Sequence, residues 1–275
     1  MMHPTYPKRL EQGSYLEPPL RPFSLSFLRR AVVFTLLVLF FALCLSLAQV
    51  DLARLADGIP RMLRWAAKSW PPYVGDFDRM LFRAAETVAI ATVATAVATL
   101  VAFPLSIFIS KNLSSPSWVA APIRAFINAL RGIDTVVFAI LFVAAVGLGP
   151  FAGVMGMTLH AIGVIAKLNS EAIETLPKAP LEAAALSGAS RTKIVSFAVL
   201  PSSLPSLASI SLYVWEANVR TSTILGIVGA GGIGIEIKAA IDLLDFQKLF
   251  TLTVIVLVMV TVIDQLSAWL RRRLV

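Results

Sequence analysis

Thr87–Ser110 reads TVAIATVATAVATLVAFPLSIFIS, 24 residues without a charged side chain, closed by Lys111. A helix of that length spans about 36 Å, more than the hydrocarbon core of a bilayer at about 30 Å. The stretch is a membrane span, and the chain around it repeats the pattern. Ala31–Val50 is uncharged for 20 residues, with Arg29 and Arg30 before it and Asp51 after it. A basic-then-apolar start is also the pattern of a secretion signal, but this run is too long and no small-residue cleavage site ends it cleanly. Thr135–Leu159 is uncharged for 25 residues, yet Gly147-Leu-Gly-Pro150 breaks it, so two spans are expected, about 120–147 and 151–168. Ile194–Trp215 and Leu249–Leu270 complete the set, the last carrying a single charge, Asp264.

Composition agrees. Of 275 residues, 57% are apolar and 15% charged, against about 25% charged in a soluble domain. Mean hydropathy is +0.81. The net charge of +8 would point to nucleic acid in a soluble chain; here it marks a membrane protein with basic ends and no nucleic-acid partner. One cysteine, Cys44, and two histidines, His3 and His160, exclude a disulfide framework and a Cys- or His-rich metal site.

The expected fold is an all-α integral membrane protein with about six transmembrane helices. An even number puts both termini on one side. Lys8, Arg9, Arg21, Arg29 and Arg30 at one end and Arg271–Arg273 at the other make that side cytoplasmic. The organisation reads as a cytoplasmic tail over 1–28, a first span over 29–50, and an external amphipathic segment over 51–80. Leu52, Leu55, Ile59, Met62 and Leu63 set the helical period of that segment. A core domain follows over 81–275, with a cytoplasmic loop at 169–193. Gly226–Lys248 is external or re-entrant.

Two motifs mislead. Gly229, Gly231 and Gly234 match the Gly-x-Gly-x-x-Gly dinucleotide fingerprint. Only 41 residues follow, and no acidic residue stands about 20 positions on, so glycines here serve close packing or an unwound segment. Ser190-Arg-Thr-Lys193 matches Ser-x-x-Lys of penicillin-binding enzymes but has no partner motif.

The cytoplasmic loop is the informative segment. Leu181–Pro201 reads LEAAALSGASRTKIVSFAVLP. Small alanines suit a short helix entering a groove, Gly188 permits a sharp turn, and Glu182 offers a carboxylate to a basic partner. Glu182-Ala183-Ala184, then Gly188, then Leu200-Pro201 resemble the EAA motif of importer-type ABC permeases, with Ala198 where isoleucine is usual. Glu216-Ala-Asn218-Val-Arg220, followed by Gly229, Gly231, Gly232 and Gly234, looks like the phosphonate-importer permeases, as do Phe142–Val154 and Lys167–Glu171. The resemblance covers about 80–275 and includes phosphite and hypophosphite carriers. The Gly-rich stretch alone is shared with methionine and osmoprotectant importers.

The resemblance implies a methionine-importer-like ABC permease fold in a bacterial inner membrane. It implies a homodimer docked on two ABC ATPase subunits, which bind ATP and Mg, while this chain binds no cofactor. A periplasmic or lipid-anchored binding protein would deliver the substrate. The chain has no Gly-x-x-x-x-Gly-Lys-Ser/Thr loop, so it is expected to be a transport subunit and not an enzyme. An importer for methionine or a sulfonate, and a membrane enzyme or ion-coupled carrier, are the rival readings; the docking loop opposes the last two.

The residues themselves agree with an anion path. Arg220 falls about 19 residues past Pro201, within or near the outer half of the membrane, with Glu216 one turn earlier. The pair is either an anion contact tuned by its carboxylate or an ion pair that orders the helix. Arg131 and Asp134 repeat the pattern at i, i+3, and His160 either bonds a neighbouring helix or lines the path.

Overall fold

The computed structural model describes residues 25–113 and 116–274, so the tail expected over 1–28 lies, up to residue 24, outside the described residues. The described chain is helical, and no strand occurs in it. It divides into two units, 1–63 and 64–275.

In the first unit, α1 (Leu25–Leu47) supplies a candidate span of 21 residues, Phe27–Leu47. Asp51 ends the apolar run because its side chain caps the next helix, accepting from Ala53 N (2.9 Å) and Arg54 N (3.1 Å). That helix, α2 (Leu52–Lys68), is amphipathic and occupies part of the segment expected over 51–80; it runs on past the end of the first unit, and the next helix begins at Phe77.

The second unit is a bundle around α3 (Phe77–Ile109) and α6 (Pro150–Glu174). Ala84, Ala91, Ala94, Ala98 and Ala102 are buried along one face of α3. Between membrane helices no water-driven force operates, so small side chains that admit close backbones hold the packing. A Cβ on Gly156 or Gly163 of α6 would lie 2.6 Å from a backbone nitrogen, Ala139 in the one case and Arg131 in the other.

The single span expected at 120–147 is corrected. It is two helices, α4 (Ser117–Gly132) and α5 (Thr135–Val146), bent by 89°. The cause is local. Gly132 ends α4, Ile133 is extended, and Asp134 caps α5 by accepting from Val136 N at 2.8 Å. Among the described residues, five helices are long and apolar enough to cross a membrane, or six if the bent pair counts as one span.

Past α6 come α7 (Lys178–Leu186), a short α8 (Arg191–Ile194), a π-turn (Val195–Val199) and α9 (Leu200–Leu225). The π-turn precedes Pro201, which has no N–H to give; the wider turn absorbs that gap without ending the helix. Arg191–Val228 thus forms one candidate span of 38 residues, about 57 Å long and far more than a membrane requires. The chain closes with α10 (Gly234–Asp242) and α11 (Phe246–Leu274).

Candidate functional site

At one end of the bundle, the ends of α3 and α6 are locked together. Lys111 N donates to Glu174 Oε1 (3.0 Å), and Asn112 Nδ2 to the Glu174 carbonyl (2.8 Å). Arg124 donates twice to the Ile109 carbonyl, and Arg191 reaches the Leu113 carbonyl. Leu113, Ile173 and Val199 form a small core there, against which Leu181 of α7 packs. This anchors α7 and leaves Glu182, Ala183, Leu186 and Phe197 exposed, with Ala184 half-buried. Gly188 follows with φ +75° and open space around it, so the turn needs glycine for its backbone and not for room. Lys167 and Glu171 pair on α6 at 3.2 Å.

The second group lies between α9 and α11. Arg220 Nη2 is 2.8 Å from Glu216 Oε1, and Arg220 Nη1 is 3.4 Å from Asp264 Oδ2. Arg271 Nη2 donates to Glu216 Oε2 at 3.0 Å. The sequence reading singled out Glu216 and Arg220 but missed the two α11 partners. The signal was present: Asp264, a lone charge in an apolar span, calls for a counter-charge. Asn218 does not join the group. It points the other way, buried, and donates to Thr95 Oγ1 of α3 at 2.9 Å. Trp215 Nε1 likewise donates to Thr92 Oγ1.

Thr92 and Thr95 are the sixteenth and nineteenth of the 33 residues of α3, so the group sits at mid-height of that helix. Arg220 is the thirtieth of the 38 residues of the helix that carries it, Arg191–Val228. The side chains of Arg220, Asp264 and Arg271 are 46%, 39% and 32% exposed.

His160 and Arg131 lie at the α4–α5 break. His160 Nδ1 donates to the Ile133 carbonyl at 2.9 Å, satisfying an acceptor that the broken helix leaves free. The expected Arg131–Asp134 pair is corrected: Asp134 caps α5, and no ion pair joins the two among the described residues. Nor does a hydrogen bond link His160 or Arg131 to the Arg220 group among those residues.

The glycine-rich segment is a helix–turn–helix, without the strand a dinucleotide fingerprint needs. Gly229, Gly231 and Gly232 have positive φ, and Gly234 opens α10. Two bonds clasp it: Gly149 N to the Gly229 carbonyl (2.9 Å) and Ile233 N to Thr87 Oγ1 (2.8 Å). A cavity of about 460 Å³ opens beside it, with Arg83 and Lys238 in its wall. Glu236, also missed in the sequence, is buried here. Lys248 Nζ donates to its Oε2 (2.8 Å), while Arg79 Nε lies 2.9 Å from Oε1 without the angle for a hydrogen bond. Burial pushes the Glu236 carboxyl up, but the Lys248 bond and charge, then Arg79 and Arg83, outweigh it and hold it below the usual range.

Comparison with known proteins places this geometry. Residues 102–275 match the family model described as binding-protein-dependent transport system inner membrane component. HtxC of Stutzerimonas stutzeri, a permease protein whose name provisionally assigns it to phosphite transport, is 44% identical over 89% of this chain and 86% of its own. The phosphite transport system permease protein PtxC of the same organism is 33% identical over 92% of each chain. Among solved structures, a chain of the inward-facing MetNI methionine ABC transporter is matched over its full length and 74% of this one. Its TM-score is 0.67 at 21% identity, a likeness of fold alone.

Proposed function

The chain belongs to the binding-protein-dependent transport system inner membrane components, the permease subunits of ABC importers, and from that premise we propose that its cargo is phosphite or a phosphonate. The observation that carries the cargo is the identity to the two phosphite permeases across nearly the whole chain. The Arg220 group supports it. An arginine 46% exposed on a helix long and apolar enough to cross a membrane cannot be left facing lipid without a cost of several kcal/mol. That face of α9 and α11 therefore borders a second copy or a watered path, and its exposed guanidinium suits an oxyanion through paired donors.

The working unit in this proposal is a homodimer in the bacterial inner membrane, with both termini cytoplasmic. Each copy offers α7 to one ABC ATPase, which binds ATP and Mg; the chain itself binds neither. Leu186, exposed one turn from Glu182, gives that helix an apolar contact beside its charge. A periplasmic or lipid-anchored binding protein releases the anion at the opposite end, where the glycine-rich turn and its cavity lie. ATPase closure pushes α7, and the rigid Leu113–Ile173–Val199 core carries the push into α3, α6 and α9. The test is growth. A strain stripped of its own phosphorus-anion permeases, given this chain with its ATPase and binding protein, grows on phosphite or methylphosphonate as sole phosphorus source. Growth unchanged by omitting the chain contradicts the proposal.

A further inference from the structure

Asp264 has two oxygens in different settings. Oδ2 meets Arg220 Nη1 at 3.4 Å, long for a charge-assisted bond, which closes to about 2.7–2.9 Å. Oδ1 is enclosed and accepts no hydrogen bond. The 39% of the side chain that is exposed therefore does not include Oδ1. A carboxylate at this depth with one loose contact and one orphaned acceptor is short of donors. Its neighbour is in the opposite condition. A guanidinium carries five N–H donors, and Arg220 directs one to Glu216 and one to Asp264. Glu216 cannot supply Asp264, since an ionised carboxylate has no hydrogen to donate, and its own oxygens accept from Arg220 and Arg271.

We propose that Asp264 selects the transported anion by accepting a hydrogen bond from its hydroxyl, so that the path favours oxyanions carrying P–OH over anions of the same shape that carry none. This rests on the reading of Arg220 as an anion contact. A phosphonate or phosphite monoanion is tetrahedral, with two oxygens sharing the charge and one O–H. The charged oxygens accept from the free donors of Arg220, and the hydroxyl donates to Asp264 Oδ2 in place of the long arginine contact. No proton is transferred and no bond breaks. A sulfonate presents three unprotonated oxygens, and one of them must then face a carboxylate. Like charges so placed are rejected, and a site built to pair with a hydroxyl discriminates strongly against the analogue lacking it.

The test uses the full-length chain in lipid nanodiscs, with no binding protein to impose its own selectivity. Methylphosphonate and methanesulfonate, a matched pair, are titrated separately. The wild type binds methylphosphonate at least about tenfold more tightly. Asp264→Asn brings the ratio near one, because an amide N–H can donate to the sulfonate; Asp264→Glu retains the preference. A wild type without preference, or an unchanged preference in Asp264→Asn, overturns the proposal. Should the Asn variant fail to fold, the wild-type ratio decides alone. Arg220→Gln separates the two readings. If it abolishes methylphosphonate binding while Asp264→Asn keeps its preference, the Asp264 proposal falls and the Arg220 contact stands. If methylphosphonate binds Arg220→Gln as it binds the wild type, or if neither anion binds the wild type, the Arg220 reading itself falls.

Discussion

At the scale of single residues, Arg220 carries the most weight, and its surroundings sharpen what its variants do. Arg220→Ala removes the donors an oxyanion needs, each charged hydrogen bond being worth about tenfold to a hundredfold, and uptake falls by at least that factor. Arg220→Lys keeps charge but loses the fork, so uptake is partial. Glu216 keeps Arg271 in both variants, and in Arg220→Ala the group left alone is Asp264. Glu216→Gln combined with Arg220→Gln preserves expression without restoring uptake; native uptake by that double variant makes the pair structural. Glu216 and Arg220 were legible because i, i+4 spacing puts them on one face. Asn218, two residues from each, necessarily faces away, and Thr95 holds it there. Asp264 and Arg271 were not legible as partners, since nothing in a single sequence pairs residues 44 and 55 positions apart.

At the scale of elements, the docking segment and the glycine-rich turn behave differently. Gly188 sits at φ +75° in open space, so valine there meets no clash but strains the backbone by about 1–3 kcal/mol. Gly188→Val and Glu182→Lys leave the protein in the membrane and abolish uptake; normal uptake at normal membrane levels removes the docking assignment. Glu236 ties α10 to α3 and α11 through Arg79 and Lys248. Its folded carboxyl titrates below the ordinary glutamate value of about 4.3. Its stabilisation is therefore complete above that pH and is lost as pH falls through the lower folded value. Acid unfolding of purified protein loses this component in Glu236→Gln, which is also less stable at neutral pH. The α4–α5 break is the element the sequence hid. Apolar periodicity reads straight through Gly132-Ile-Asp134, where α4 ends, Ile133 is extended, and the Asp134 cap and the His160 bond to Ile133 hold the turned chain.

At the scale of the whole molecule, what was legible was what one dimension records. Uncharged runs gave the long helices, and the alanine-rich start of Leu181–Pro201 gave the short helix α7. The depth of Arg220 was not legible, because the helix that carries it runs 38 residues, more than a membrane requires. The central claim concerns the assembled importer: this chain carries a phosphorus oxyanion inward, driven by a partner ATPase. Uptake of labelled methylphosphonate into proteoliposomes holding the chain and its ATPase, with binding protein outside and ATP within, tests it most directly. The account predicts accumulation that stops when the ATPase or this chain is omitted and is indifferent to excess methionine. Accumulation of methionine with no uptake of methylphosphonate or phosphite contradicts it.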